Sequence, residues 1–383
     1  MKKKKFFVVT TIPDALKFLS GQYGLIKESF DITAISSQRE NLEAAGLKYG
    51  VKVHYIPMER EISLLIDSFA LLRFIQYFRR ERPTVVHGNT PKGGLLSMMA
   101  AWITKVPVRI YVCHGLRYQG CEGFKRKLLM LMEKISCCCA THVITVSYGM
   151  KKMLKEDRIT DKEPIVVWNG SISGVDAERF DPGRQFDKEK IRDSIGLASD
   201  NFVLTFVGRI VKDKGIDELV DAFTALVEKH PDMRLVLVGT IEEEGNPISP
   251  SAKKTIQNHP AIIALGERYD IPEILSVTDL FVFPSYREGF GLSLMEAGAM
   301  GVPAVATDII GCNEVLVDGE TGVLIPPHSS TDIVNVVDKL YTNKDLMKLM
   351  GENCRAHILS KYEAKKLLKE YVNLYNLLVE MQN

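Results

Sequence analysis

The feature that most constrains this chain is a repeating unit, a short apolar run followed by a segment with helical spacing. In the first half the runs are FFVVT, VKVHYI, TVVHGN, VRIYVC, HVITVS and IVVWNG. In the second half they are FVLTFVG, RLVLVG, AIIAL, LFVFPS and PAVAT. Val, Ile and Phe dominate, with little polar alternation, as expected for strands buried on both faces of a parallel sheet. Parallel neighbours need long crossovers, and segments such as 217–229 have the spacing and length of crossover helices. The pattern predicts α/β layers. A chain of 383 residues exceeds one ordinary core. The alternation pauses at NGSISGVDAERFDPGRQF (169–186), a Gly-, Asp-, Ser- and Pro-containing stretch that reads as a linker. Two doubly wound domains are therefore expected, 1–182 and 183–361, facing each other across a cleft. The last stretch, 362–383, has apolar residues at helical spacing (Leu367, Leu368, Tyr371, Leu374, Tyr375, Leu378) and is expected to complete the first domain.

Composition excludes several classes. The formal net charge of +1 gives no whole-chain attraction for nucleic acid. Seven cysteines, three of them adjacent (Cys137, Cys138, Cys139), make neither a disulfide framework nor a zinc pattern, and a reduced, cytoplasmic protein is expected. The basic start, 2–5, precedes an apolar run too short for a secretory signal and is read as a basic leader ahead of a first strand, 6–11. No apolar run approaches the ~20 residues that span a bilayer.

The stretch EGFGLSLMEAGAMG (288–301) lies between the strand-like LFVFPS and VPAVATD. A helix is expected to begin near Gly291 or Leu292, leaving the amides of Phe290, Gly291 and Leu292 without intrahelical partners. Such a terminus suits a phosphate. Glu288 stands before it and Glu296 about one turn inside the helix, so the two carboxylates bracket an anion site and can accept from hydroxyls on either side of a diphosphate. At this spacing alone they would equally be a solvated loop residue and an ordinary helix residue. Arg209 and Lys214 follow FVLTFVG, at a strand's carboxyl end, where cations suit a diphosphate and lone surface cations are also common. His114 ends VRIYVC. A lone histidine there is more often a satisfied core residue, but the loop that follows points to an open site.

These motifs resemble the family-4 glycosyltransferases of the GT-B fold, which pairs two Rossmann-like domains. PSYREGFGLSLMEAGAMGVPAVATDIIGCNEVLVDGETGVLIPP is similar to the family's E-x7-E region, VGRIVKDKGID to its G-R-x-x-x-x-K-G segment, VWNGSISGVDAERFDP to its N-G-V-D linker with SISG inserted, and VCHGLR to its histidine loop. The resemblance implies a retaining transfer of a hexosyl or N-acetylhexosaminyl group from a nucleoside diphosphate sugar, with a UDP-sugar expected. It implies catalytic roles for His114, Arg209, Lys214 and Glu288. It places Glu296 at the ribose hydroxyls, Phe290, Gly291 and Leu292 as amide donors, and Arg268 of GERYD near the base. The first loop, TTIPDALKFLSGQYG, departs from the family's glycine-rich form, leaving Ser20 and Gly21 as the part that approaches the donor. The absence of a D-x-D motif implies that no metal cofactor is required. HGNTPKGG and CHGLRY resemble the branch that extends undecaprenyl-diphosphate-linked sugars, which implies a lipid-linked saccharide acceptor near Asn89 and Lys92. Two alternatives stay open: a GT-B sugar-nucleotide 2-epimerase, and a non-catalytic sugar-nucleotide-binding protein.

Phe124, Leu128, Leu131, Met132 and Ile135 form a stripe at helical spacing, flanked by Lys125, Arg126, Lys127 and Lys134. Such a helix either lies on an anionic membrane, making the protein peripheral at the membrane's inner face, or packs its stripe into the core. The spacing does not decide between them.

Overall fold

The structure is a computed structural model that describes residues 3–59, 61 and 63–382. Lys2 of the basic start lies outside the described residues. The chain divides into two compact units, 1–174 with 364–383, and 175–363. The first division thus falls at Gly174, within the linker segment, where the sequence pattern placed it at 182; the second falls after Glu363, where it placed 361.

The first unit is built on a seven-stranded sheet of order β3-β2-β1-β4-β5-β6-β7. Its strands are β1 (Lys4–Val9), β2 (Phe30–Ser36), β3 (Lys52–Tyr55), β4 (Val85–Gly88), β5 (Val108–Cys113), β6 (His142–Thr145) and β7 (Ile165–Val166). Every pairing is parallel. Order reverses between β1 and β4, so the loops after them flank a topological switch point, where such sheets bind ligands. The helix Ala364–Glu380 packs on this unit through Leu367, Leu368, Tyr371, Tyr375, Leu378 and Val379, all buried. Tyr375 reaches Phe6 of β1, with ring centroids 5.3 Å apart.

The second unit has six parallel strands in the order β10-β9-β8-β11-β12-β13. They are β8 (Phe202–Val207), β9 (Met233–Val238), β10 (Ile262–Gly266), β11 (Leu280–Phe283), β12 (Ala304–Thr307) and β13 (Gly322–Ile325). The switch point lies between β8 and β11. The expected helix at 217–229 is observed as Ile216–Lys229. Gly215 caps it at φ 67°, and a Cβ there would lie 2.1 Å from the carbonyl oxygen of Pro284, so only glycine lets this turn approach the end of β11.

β2 and β13 were not among the apolar runs. Asp31 and Thr33 interrupt β2, and β13 is a four-residue edge strand with two half-buried residues. Among the described residues no helix is long and apolar enough to cross a membrane. The cysteines are free.

Candidate active site

In the second unit the two motif segments leave adjacent strands at the switch point. Arg209 and Lys214 follow β8, and Glu288 follows β11. The strand pairing brings Lys214 and Glu288 together as an ion pair, although 74 residues separate them. Both are largely buried, at 16% and 12% side-chain exposure, so little water screens the pair. Ser285 donates to the same Glu288 oxygen at 2.7 Å, and the Lys214 ammonium lies 5.3 Å from the centre of the Phe283 ring. Arg209 is exposed and pairs with Glu242 at 3.0 Å.

The helix after β11 runs Leu292–Ala299, with Gly291 as N-cap, as expected. Of the three amides expected to be free, that of Phe290 is, and those of Gly291 and Leu292 are not. Gly291 N donates to Gly311 O at 3.0 Å, and Leu292 N to Phe290 O at 2.9 Å. Among the described residues the amides of Phe290, Ser293 and Leu294 have no backbone acceptor, so the unpaired donors lie just before the helix and within its first turn. The cause is Gly311, at φ 84°. A Cβ on it would meet Gly289 C and O at 2.9 Å, and that close approach lets its carbonyl occupy the Gly291 amide. Nothing in the isolated sequence marks this glycine as a partner of the 288–291 loop. The Phe290 side chain is buried edge-on against Tyr362.

Glu296 is half-buried in that helix. Burial raises its pKa to about 7, and Arg179 opposes the rise. Arg179 itself donates to Tyr269 O at 2.7 Å. It therefore links the 266–270 loop to the surroundings of Glu296, a role the sequence reading missed although Arg179 stands in the quoted VDAERFDP. Arg268 is held by its neighbour Asp270, with Nε at 2.8 Å from the carboxylate. Tyr269 is largely exposed beside it.

In the first unit the loops after β1, β4 and β5 meet. Asn89 and His114 are joined, with His114 Nε2 2.8 Å from Asn89 Oδ1, and Phe18 stacks on the His114 ring at 5.2 Å. Burial lowers the His114 pKa to about 4, so the ring is neutral at physiological pH. Lys92 is buried and ion-paired with Asp67 at 2.8 Å, and it also donates to Glu61 O. Its ammonium ties two helices together, which competes with the expected contact to an acceptor phosphate. Gly21 is an exposed N-cap, and a Cβ there would lie 2.7 Å from Leu368 Cδ1, which gives the glycine a packing reason.

The helix Gly123–Cys139 buries Leu129, Glu133, Ser136 and Cys137. The apolar stripe is on its other side: Phe124 is 80% and Leu131 52% exposed, while Leu128, Met132 and Ile135 are half-buried. Lys125, Arg126, Lys127 and Lys134 are exposed beside them.

Residues 187–357 match the family described as glycosyl transferases group 1, and residues 24–179 match Glycosyltransferase Family 4. The chain is 34% identical over 380 residues to the capsular polysaccharide biosynthesis glycosyltransferase CapM of Staphylococcus aureus, covering 98% of each. It is 29% identical over 359 residues to the UDP-Gal:alpha-D-GlcNAc-diphosphoundecaprenol alpha-1,3-galactosyltransferase of Escherichia coli, covering 92% of this chain and 90% of that protein. Its fold is similar to that of Anabaena Alr3699/HepE, crystallised in complex with UDP and glucose, with a TM-score of 0.80 at 18% identity, covering 98% of this chain and 99% of that one.

Proposed function

The chain belongs to the family-4 glycosyltransferases, and on that premise we propose that it moves a sugar from a UDP-sugar, with retention, to a hydroxyl of a lipid-linked saccharide in surface polysaccharide or glycan synthesis. The observation that carries the donor side is the Lys214–Glu288 pair at the β8–β11 switch point, beside the free first-turn amides of the helix Leu292–Ala299. A diphosphate there meets a cation held in a poorly hydrated setting and N–H donors already oriented. Charge on the leaving diphosphate grows as the C1–O bond breaks, so Lys214, Arg209 and these amides stabilise the transition state more than the bound donor. The acceptor oxygen attacks C1 on the face the diphosphate leaves, and the departing phosphate oxygen takes the acceptor's proton. Glu296 accepts from the ribose hydroxyls. With these donors in place, no metal cofactor is needed.

The acceptor side rests on the outward stripe of the helix Gly123–Cys139. That helix packs beside Pro91–Ile103, which packs beside Leu64–Glu81. The three expose Leu65, Phe69, Leu72, Trp102, Phe124 and Leu131. Exposed apolar residues bordered by cations suit an anionic membrane surface, and two relatives are named for capsular polysaccharide biosynthesis and for a diphosphoundecaprenol-linked acceptor. The protein is accordingly assigned to the cytoplasmic face of the membrane, as a peripheral enzyme.

The test is UDP release from a panel of UDP-sugars with a polyprenyl-diphosphate-linked saccharide in anionic vesicles, the product's anomer being read by NMR. Release with retention is expected, and it should persist in EDTA. No release from any UDP-sugar, an inverted product, or a requirement for added Mg²⁺ or Mn²⁺ would each overturn the corresponding part.

A further inference from the structure

A chain of hydrogen bonds crosses the interior of the first unit, and its donor–acceptor direction follows from its far end. Gln22 Nε2 donates to the carbonyl oxygen of Ile172 at 2.9 Å. A carbonyl only accepts, so the Gln22 oxygen faces Tyr375, whose hydroxyl donates to it at 2.9 Å. Having given its one proton, that hydroxyl accepts from His87 Nε2, 3.1 Å away. His87 is fully buried, and burial holds its pKa down to about 3, so the ring is neutral and Nδ1 is bare. Nδ1 accepts from Asn89 Nδ2 at 2.9 Å. A second anchor agrees: the same amide nitrogen lies 3.2 Å from His87 O and 3.5 Å from Val9 O. Asn89 must therefore turn its oxygen to His114, and His114 Nε2 must carry a hydrogen.

We propose that Asn89, locked by His87 and behind it by Tyr375 and Gln22, is a positioning residue that holds His114 as the neutral Nε2–H tautomer, so that its Nδ1 lone pair accepts from a substrate hydroxyl. The role rests on the sugar-transfer reading, but the tautomer itself does not. A bare ring nitrogen repels phosphate and carbonyl oxygens and rewards a hydroxyl. A sugar lacking that hydroxyl leaves the lone pair unmet, which is how a buried polar group discriminates. Among the described residues Nδ1 has no hydrogen-bond partner. His87 is the titratable group that faces His114 through Asn89, and among the described residues no carboxylate forms an ion pair with the His114 ring.

Two measurements test this. Long-range ¹H–¹⁵N NMR on histidine-labelled protein, with His114 assigned through His114→Gln, should show hydrogen on Nε2 and a bare Nδ1 near neutral pH. An Nδ1–H ring, an averaged ring or a charged ring would overturn the proposal. In Asn89→Asp the new carboxylate favours the charged ring, whose Nδ1 then carries a proton. Transfer by this variant should fall roughly tenfold on the acid side and recover as pH rises, a limb that wild type lacks. A folded Asn89→Asp with the wild-type pH profile would also overturn it. Should that variant not fold, the wild-type spectrum still decides. Because the spectrum needs no substrate, failure to turn over any UDP-sugar sinks the transferase reading while leaving the tautomer standing or falling on its own.

Discussion

Lys214 and Glu288 neutralise each other where two adjacent strands end, and on the proposed function an incoming diphosphate would compete with the carboxylate for the ammonium. Lys214→Ala should cut turnover about tenfold or more and weaken UDP binding, since a charge-assisted hydrogen bond contributes about 1.5–3 kcal/mol. Calorimetric titration with UDP alongside initial rates checks this, and unchanged values would remove Lys214 from the site. A second residue tests the core. Glu133 is buried beneath the helix Gly123–Cys139, where it accepts from the Tyr111 hydroxyl at 2.6 Å. Burial raises its pKa from 4.5 to about 7. Between those values the folded state keeps a proton that the unfolded state releases, so this group's contribution falls as pH rises through that window. Glu133→Gln removes the loss. The variant's stability relative to wild type should climb from pH 4.5 to 7 by up to about 3 kcal/mol, then level off. Urea denaturation at several pH values reads it, and a flat difference would mean that the carboxyl finds other partners.

At the scale of elements, the stripe on the helix Gly123–Cys139 shows where sequence stops being sufficient. Its spacing was legible; its direction was not, because the buried side is filled by Glu133, Ser136 and Cys137, residues whose types do not announce a core. If this face docks on anionic lipid, each cation near the surface contributes about 1 kcal/mol, and salt weakens the effect. Reversing Lys125, Arg126 and Lys127 to glutamate should therefore release the protein from anionic vesicles in a flotation assay. It should also slow transfer to a lipid-linked acceptor more than donor hydrolysis. Equal flotation of the triple variant would detach this helix from membrane binding. The parallel sheets and the helix at Leu292 were readable because unbroken Val, Ile and Phe runs and a glycine-marked turn are local signals. The amide pattern at that helix was not, since it depends on Gly311, which only the packed loop brings to Gly289. β2 was hidden by its own polar residues, and Lys92 by a partner on another helix.

For the whole molecule, the two units carry separate sheets and separate cores. If UDP binds the second, calorimetry should show one unfolding transition rising with UDP, by about 2.7 kcal/mol at a hundred times Kd, while the other stays in place. Removing residues 364–383 should lower only the transition that UDP does not move, since that segment covers Phe6 and supplies Tyr371 and Tyr375 to the first core. A single transition shifted by both changes would show that the units unfold as one.

The first unit is interrupted in sequence: all of 175–363 is threaded between β7 and the helix that completes it. During synthesis, then, the second unit emerges and can close its own sheet while the first still lacks a wall. Tyr375 arrives from the ribosome long after His87, Asn89 and His114. A nascent chain should acquire nucleotide binding early and the ordered histidine last. Arrested chains of increasing length, probed for UDP binding and for sugar transfer, should gain the two properties in that order.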